Sequence, residues 1–171
     1  MTDMNCCATD DTSLREGGSE SVSKDFASQS CGNCASQSRP VPRKTVLLML
    51  KPNLLEHAMT GTYSFCSARD CPVVYFEEQG NRRFTTDDLR LPVGIKAKTD
   101  PVPLCYCFGF NESHIREEIS RTGNTTIPER ISNLIREGLC ACEARNPGGV
   151  CCLGEVNRAA KALAASERSS D

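Results

Sequence analysis

The chain has 171 residues, room for one ordinary domain or two small ones, with 39% hydrophobic and 5% aromatic residues and no Trp. That composition excludes a large aromatic core, so something besides burial must help hold the fold. A formal net charge of −2 excludes a global positive field for nucleic acid or an anionic membrane, and twelve cysteines leave disulfides or metal ligation as the serious explanations.

Residues 1–30 are rich in Ser, Thr, Asp, Glu and Gly and read as a disordered arm. MTDMNCCATDDTSLREGG has no basic region or apolar run of a secretory leader, and no stretch of 18 apolar residues follows anywhere. The expectation is a cytoplasmic protein, where reducing thiol pools oppose structural disulfides and favour metal. Met4 and the vicinal Cys6-Cys7 are either incidental thiols or a soft-metal capture site.

A zinc-stabilised, β-rich unit is expected over residues 31–92. Cys31 and Cys34 flank a Gly-Asn turn, and Val46 to Leu50 form an apolar run that periodicity leaves open between strand and helix. TYSFCSARDCPVVYF reads as a hairpin, with strands at Tyr63–Phe65 and Val73–Phe76 and two cysteines, Cys66 and Cys71, in the connection. C-x2-C followed by C-x4-C supplies two thiolate-bearing turns that can close a tetrahedron around zinc. His57 and Asp70 are nearby substitutes, although His57 reads better as an ordinary exposed residue. A redox-active C-x-x-C is the rival, without the strand and helix context of a thioredoxin-like motif.

LPVGIKAKTDPVP, covering 93–103, reads as a linker, with Lys96 and Lys98 either a docking patch for a partner or simply solvated. Residues 104–166 form the expected helical unit, and 167–171 a tail. NESHIREEISRTG has Asn111 as N-cap, Ile115 and Ile119 on one face, and Gly123 as stop. TTIPERISNLIREG places Ile131, Leu134 and Ile135 on one stripe and stops at Gly138; a third helix spans about Glu155 to Ser166, with Val156 and Leu163 inward. Cysteines bracket these helices as Cys105 and Cys107, Cys140 and Cys142, and Cys151-Cys152. Six thiols exceed one zinc ion's need, and a C-x-C loop can serve a [2Fe–2S] cluster, with zinc as the rival occupant. Gly109 and Gly138 suit a close backbone approach.

LCYCFGFNESHIREEI, EGLCACE and NPGGVCCLGEVNRAA resemble the iron–sulfur module of the CopZ-type amino-terminal domain and, more distantly, bacterioferritin-associated ferredoxin. YSFCSARDCPVVYF and VGIKAKTDPVPLCYCFG are similar to the same CopZ-type domain, so the resemblance covers about residues 31 to 158. It implies an α+β fold, zinc on Cys31, Cys34, Cys66 and Cys71, and a [2Fe–2S] cluster on Cys105, Cys107, Cys142 and Cys152, with Cys140 and Cys151 as alternates. It further implies one-electron transfer with a redox or metal-handling partner protein, in copper or other thiophilic-metal handling, while the net charge argues against nucleic acid or membrane as partners. The family's copper chaperones carry a further domain with an M-x-C-x-x-C loop, which these 171 residues do not contain. An iron–sulfur sensor or cluster donor, and a structural zinc adaptor, are the alternative functions. An enzyme is not expected, because the two histidines, His57 and His114, join no triad or H-E-x-x-H motif; Glu117-Glu118 and Asp87-Asp88 read as solvated faces.

Overall fold

The structure, a computed structural model, describes residues 29–168; Met4, Cys6-Cys7 and most of the expected arm lie outside them. Four antiparallel strands make the main sheet in the order β1 (Ser38–Val41), β2 (Tyr63–Cys66), β3 (Val73–Glu77), β4 (Arg83–Thr85). β2 and β3 are the expected hairpin, in register with Tyr63 opposite Glu77 and Phe65 opposite Tyr75. Both are buried through almost their whole length, which suits their run of aromatic and β-branched residues. β1 is an edge strand carrying Arg39 and Pro40, with the Arg39 guanidinium 5.1 Å from the centre of the Phe65 ring. The Ser38 backbone N–H donates to the Gln29 carbonyl at 3.0 Å, so the last positions of the expected arm are already paired.

The run at Val46 resolves as a helix, α1 (Arg43–Met49), whose Val46 and Met49 are buried against Val41, Tyr63, Phe65, Tyr75 and Phe84. A 3-10 segment, Pro52–Ala58, follows and leaves His57 exposed.

The second half is built on a two-stranded ribbon, β5 (Pro103–Cys105) and β6 (Phe110–Asn111), and four helices: α2 (Glu112–Thr122), α3 (Ile127–Arg136), α4 (Cys142–Arg145) and α5 (Leu153–Arg168). The α2 caps are those expected: the Asn111 side chain accepts from the His114 backbone at 3.1 Å, and Gly123 closes the helix at φ 77°. His114 has a definite task there, since its Nδ1 accepts from the Asn111 backbone N–H at 3.3 Å. Glu118 is no merely solvated acid. It accepts from Thr125 Oγ1 (2.6 Å) and Thr126 N (2.9 Å), satisfying the start of α3, which has no side-chain cap of its own. Asp88 likewise closes a capping box with Thr85.

Ile115, Ile119, Ile127, Ile131 and Val156 form the helical core, and Cys105 and Cys152 are buried within it. The two halves meet along a seam. The Tyr75 hydroxyl donates to the Pro147 carbonyl at 2.7 Å, Thr45 Oγ1 donates to the Glu143 carbonyl, and α1 lies against α4. Within the expected linker, Gly94–Lys96 form a 3-10 turn. Lys96 is only 8% exposed, which corrects its expected solvated position: its ammonium is drawn in by backbone carbonyls.

Candidate metal centres

The first centre is assembled from two turns. Cys31 opens a tight turn in which Cys34 N and Ala35 N both donate to the Cys31 carbonyl, at 3.2 and 2.7 Å. Ala35 adopts φ 56°, a left-handed conformation costing a non-glycine residue roughly 1–2 kcal/mol, so the turn is held by its surroundings. Cys66 ends β2 and Cys71 precedes β3, so the sheet itself delivers the second pair. All four sulfurs lie within 4.8 Å of one another, with Cys34 Sγ and Cys66 Sγ 3.6 Å apart. A tetrahedral zinc ion with Zn–S bonds of about 2.3 Å holds its sulfurs roughly 3.8 Å apart, so the donor set fits that ion.

Three of these cysteines are buried and Cys34 is half-buried. Hydrogen bonding from Ser36 lowers the Cys34 thiol to about 6. Burial pushes Cys66 up to about 12, opposed in part by the nearby Lys96 charge. Asn33 Nδ2 donates to Cys71 Sγ at 3.3 Å. The expected substitutes stay outside: His57 is exposed, and exposed Asp70 pairs with Lys98 at 3.2 Å.

The second set is drawn together from three segments. Cys105 ends β5, Cys107 follows on the loop to β6, Cys142 begins α4, and Cys152 directly precedes α5. Cys107 Sγ and Cys142 Sγ are 3.8 Å apart, and Cys152 hydrogen-bonds both Cys105 and Cys142. Cys151 reaches Cys142 as well, whereas Cys140, an expected alternate, is disulfide-bonded and so is not one of these four. Among the described residues, no second group of three donor side chains comes within 4.8 Å of one another. The four sulfurs therefore form a string, Cys107–Cys142–Cys152–Cys105, more open than the first set.

Charge is distributed along that string in pairs. Cys142 is held down at about 2, foremost by the hydrogen bond from Cys107, whose own thiol is raised by the same contact. Cys105 is lowered to about 7, first by the hydrogen bond from Cys152, whose thiol is raised in return. Along the string each more acidic thiol therefore stands beside a less acidic one. The Ala141 backbone N–H points at Cys107 Sγ, 3.3 Å away, in the manner of amides that stabilise ligated sulfur. Gly109 and Gly138 both take φ 73° with open space around them, so the need the chain shows is for the left-handed turn rather than for close approach.

Sequence reasoning missed α4 and the role of Lys96. Four-residue α4 is too short to leave a periodic signal, and nothing local marks a lysine whose carbonyl partners lie 25 to 28 residues away. Among the described residues no helix is long and apolar enough to cross a membrane.

Residues 28–90 match the family described as a zinc binding domain of CopZ type. The chain is 31% identical over 129 residues to the copper chaperone CopZ of Archaeoglobus fulgidus, an alignment covering 75% of this chain. It spans about 60% of that curated relative's length. The X-ray structure of the Archaeoglobus fulgidus CopZ N-terminal domain superposes with a TM-score of 0.63 at 30% identity, covering 76% of this chain and 96% of that one. The chain thus has an α+β architecture, an antiparallel sheet with a four-cysteine centre followed by helices, and it belongs to the family of CopZ amino-terminal domains.

Proposed function

We propose that this chain is a cytoplasmic one-electron carrier in thiophilic-metal handling, with zinc on Cys31, Cys34, Cys66 and Cys71 and a [2Fe–2S] cluster on Cys105, Cys107, Cys142 and Cys152. The observation carrying this reading is the difference in shape between the two sulfur sets. The first is a closed group with every sulfur within 4.8 Å of the others, as one ion requires. The second is an open string of four, with Cys107 and Cys142 3.8 Å apart and Cys152 against both Cys105 and Cys142, which fits two metal atoms sharing four cysteines better than a single tetrahedral ion.

When bound, the cluster supplies one-electron exchange. The chain's residues prepare its seat: the apolar neighbours Ile115, Ile131 and Val156 exclude water from Cys105 and Cys152, and the Ala141 amide donates to Cys107. Cys107 is half-buried and Gly109 exposed, so the C-x-C loop is the side nearest a docking redox partner. The zinc centre holds the sheet on which the seam with the helical half depends. A carrier rather than a catalyst fits the two histidines, one exposed on its 3-10 segment and the other engaged as a cap. Copper as cargo draws support from the relative's description as a copper chaperone.

Metal and acid-labile sulfide analysis, with visible and EPR spectra, on protein purified without air tests the proposal. Zinc, iron and sulfide near one, two and two per chain are expected. Cys105→Ser is expected to lose the visible absorbance while keeping zinc, and Cys66→Ser to lose zinc first. A colourless wild-type protein carrying only zinc, or two variants that lose the same metal, refutes the two-centre reading.

A further inference from the structure

Lys96 occupies an unusual position for a lysine. It is 8% exposed, and its Nζ donates to the Ala68 carbonyl at 2.7 Å and the Cys71 carbonyl at 2.9 Å, both on the turn that carries Cys66 and Cys71. Among the described residues no carboxylate forms an ion pair with it, whereas its neighbour Lys98 is paired with Asp70 on the surface. A buried ammonium persists where an opposing charge lies close by. Four thiolates around one divalent ion leave a net double negative charge at that place.

The same three-residue turn is fixed at its other end to the second set of sulfurs. Gly94 N donates to the Tyr106 hydroxyl at 2.7 Å, and that hydroxyl donates to the Pro92 carbonyl at 3.0 Å. Tyr106 is the residue between Cys105 and Cys107. A side chain on Gly94 would collide with the Pro103 carbonyl oxygen, two residues before Cys105, so glycine is required for this close approach.

We propose that Lys96 is the counter-charge of the four-cysteine metal centre, and that the Gly94–Lys96 turn couples occupancy of that centre to the position of the Cys105–Cys107 loop. The inference rests on metal being held by Cys31, Cys34, Cys66 and Cys71. Lys96 is a positioning residue: it touches the ligand-bearing backbone and contributes no ligand atom.

The test compares wild type with K96M, K96R and K98M, all as full chains loaded with zinc. Zinc affinity is read by competition with a chromophoric chelator, and backbone hydrogen exchange is followed in residues 104–110. Loss of a residue that supports metal ligands from outside costs ~10–100-fold in affinity, and that is the weakening expected for K96M. K96R, which keeps the charge, is expected to recover most of it, and K98M to match wild type. Faster exchange in 104–110 is expected in K96M and in zinc-stripped wild type. K96M binding zinc as tightly as wild type, or K96R binding as weakly as K96M, overturns the counter-charge. Unchanged exchange in 104–110 after zinc stripping overturns the coupling. Wild type that takes up no zinc refutes the underlying metal assignment instead.

Discussion

Replacing Tyr75 by Phe removes one hydroxyl from the seam between the two halves and leaves the ring in place. Tyr75 is 0% exposed, and its hydroxyl donates to the carbonyl of Pro147, itself fully buried. Burial pushes the phenol far above its ordinary value, so it stays a neutral donor across any working pH. A buried acceptor left without its donor costs roughly 1–3 kcal/mol. In a chain of this size each kcal/mol moves the thermal midpoint by about 2–4 °C, so a fall of roughly 2–12 °C is expected. Pro147 lies in the loop between Cys142 and Cys151, so local exchange in residues 142–152 is expected to accelerate as well. Circular dichroism melts of fully metallated protein, with hydrogen-exchange mass spectrometry, measure both effects. A Tyr75→Phe protein with the wild-type midpoint and unchanged exchange in that loop refutes the reasoning that this bond holds the halves together.

Glu118→Gln is a test with a pH signature. Hydrogen bonds from Thr125, then Thr126, with attraction to Arg130, hold the Glu118 carboxyl below its ordinary 4.5, so the stabilisation it gives is full above that value. It is lost as pH falls through the lower folded value; the stability gap between wild type and Glu118→Gln in urea titrations should therefore close on acidification, and a constant gap contradicts the assignment. Ile131→Ala empties a 0% exposed position in the helical core and should cost about 2–5 kcal/mol in denaturant unfolding; a cost under about 1 kcal/mol contradicts the packing described.

Much of this architecture is legible in the chain because it is written in local chemistry. Asn111 and Gly123 mark the ends of α2 by capping alone, and the alternation of apolar residues with a cysteine-bearing turn marks β2 and β3. The segment at Val46 could not be settled locally: five apolar residues in a row satisfy either period, and only the surrounding Tyr63, Phe65 and Phe84 select the helix. Cysteine pairs could be recognised as donors from spacing. Which members of Cys140, Cys142, Cys151 and Cys152 turn toward Cys105 and Cys107 depends on the path of α4 and the loop after it, and that path is set by Tyr75 and Thr45 from the other half of the chain. The roles of Lys96 and Glu118 stayed hidden because their partners lie 7 to 28 residues away; His114 bonds to Asn111 only three residues back, but a histidine is not the acid or amide that usually marks a capping box.

The outer rail of the sheet has a consequence for how this molecule meets others. β1 ends the sheet on one side with Arg39, whose charge lies over Phe65, and Pro40, which has no amide proton to lend to a new neighbour. The opposite border, β4, is three residues long and runs at once into a capped turn. Neither border offers a long row of open donors and acceptors, so stacking of copies by strand addition is disfavoured even at high concentration. A protein that docks on this molecule therefore gains little by extending its sheet.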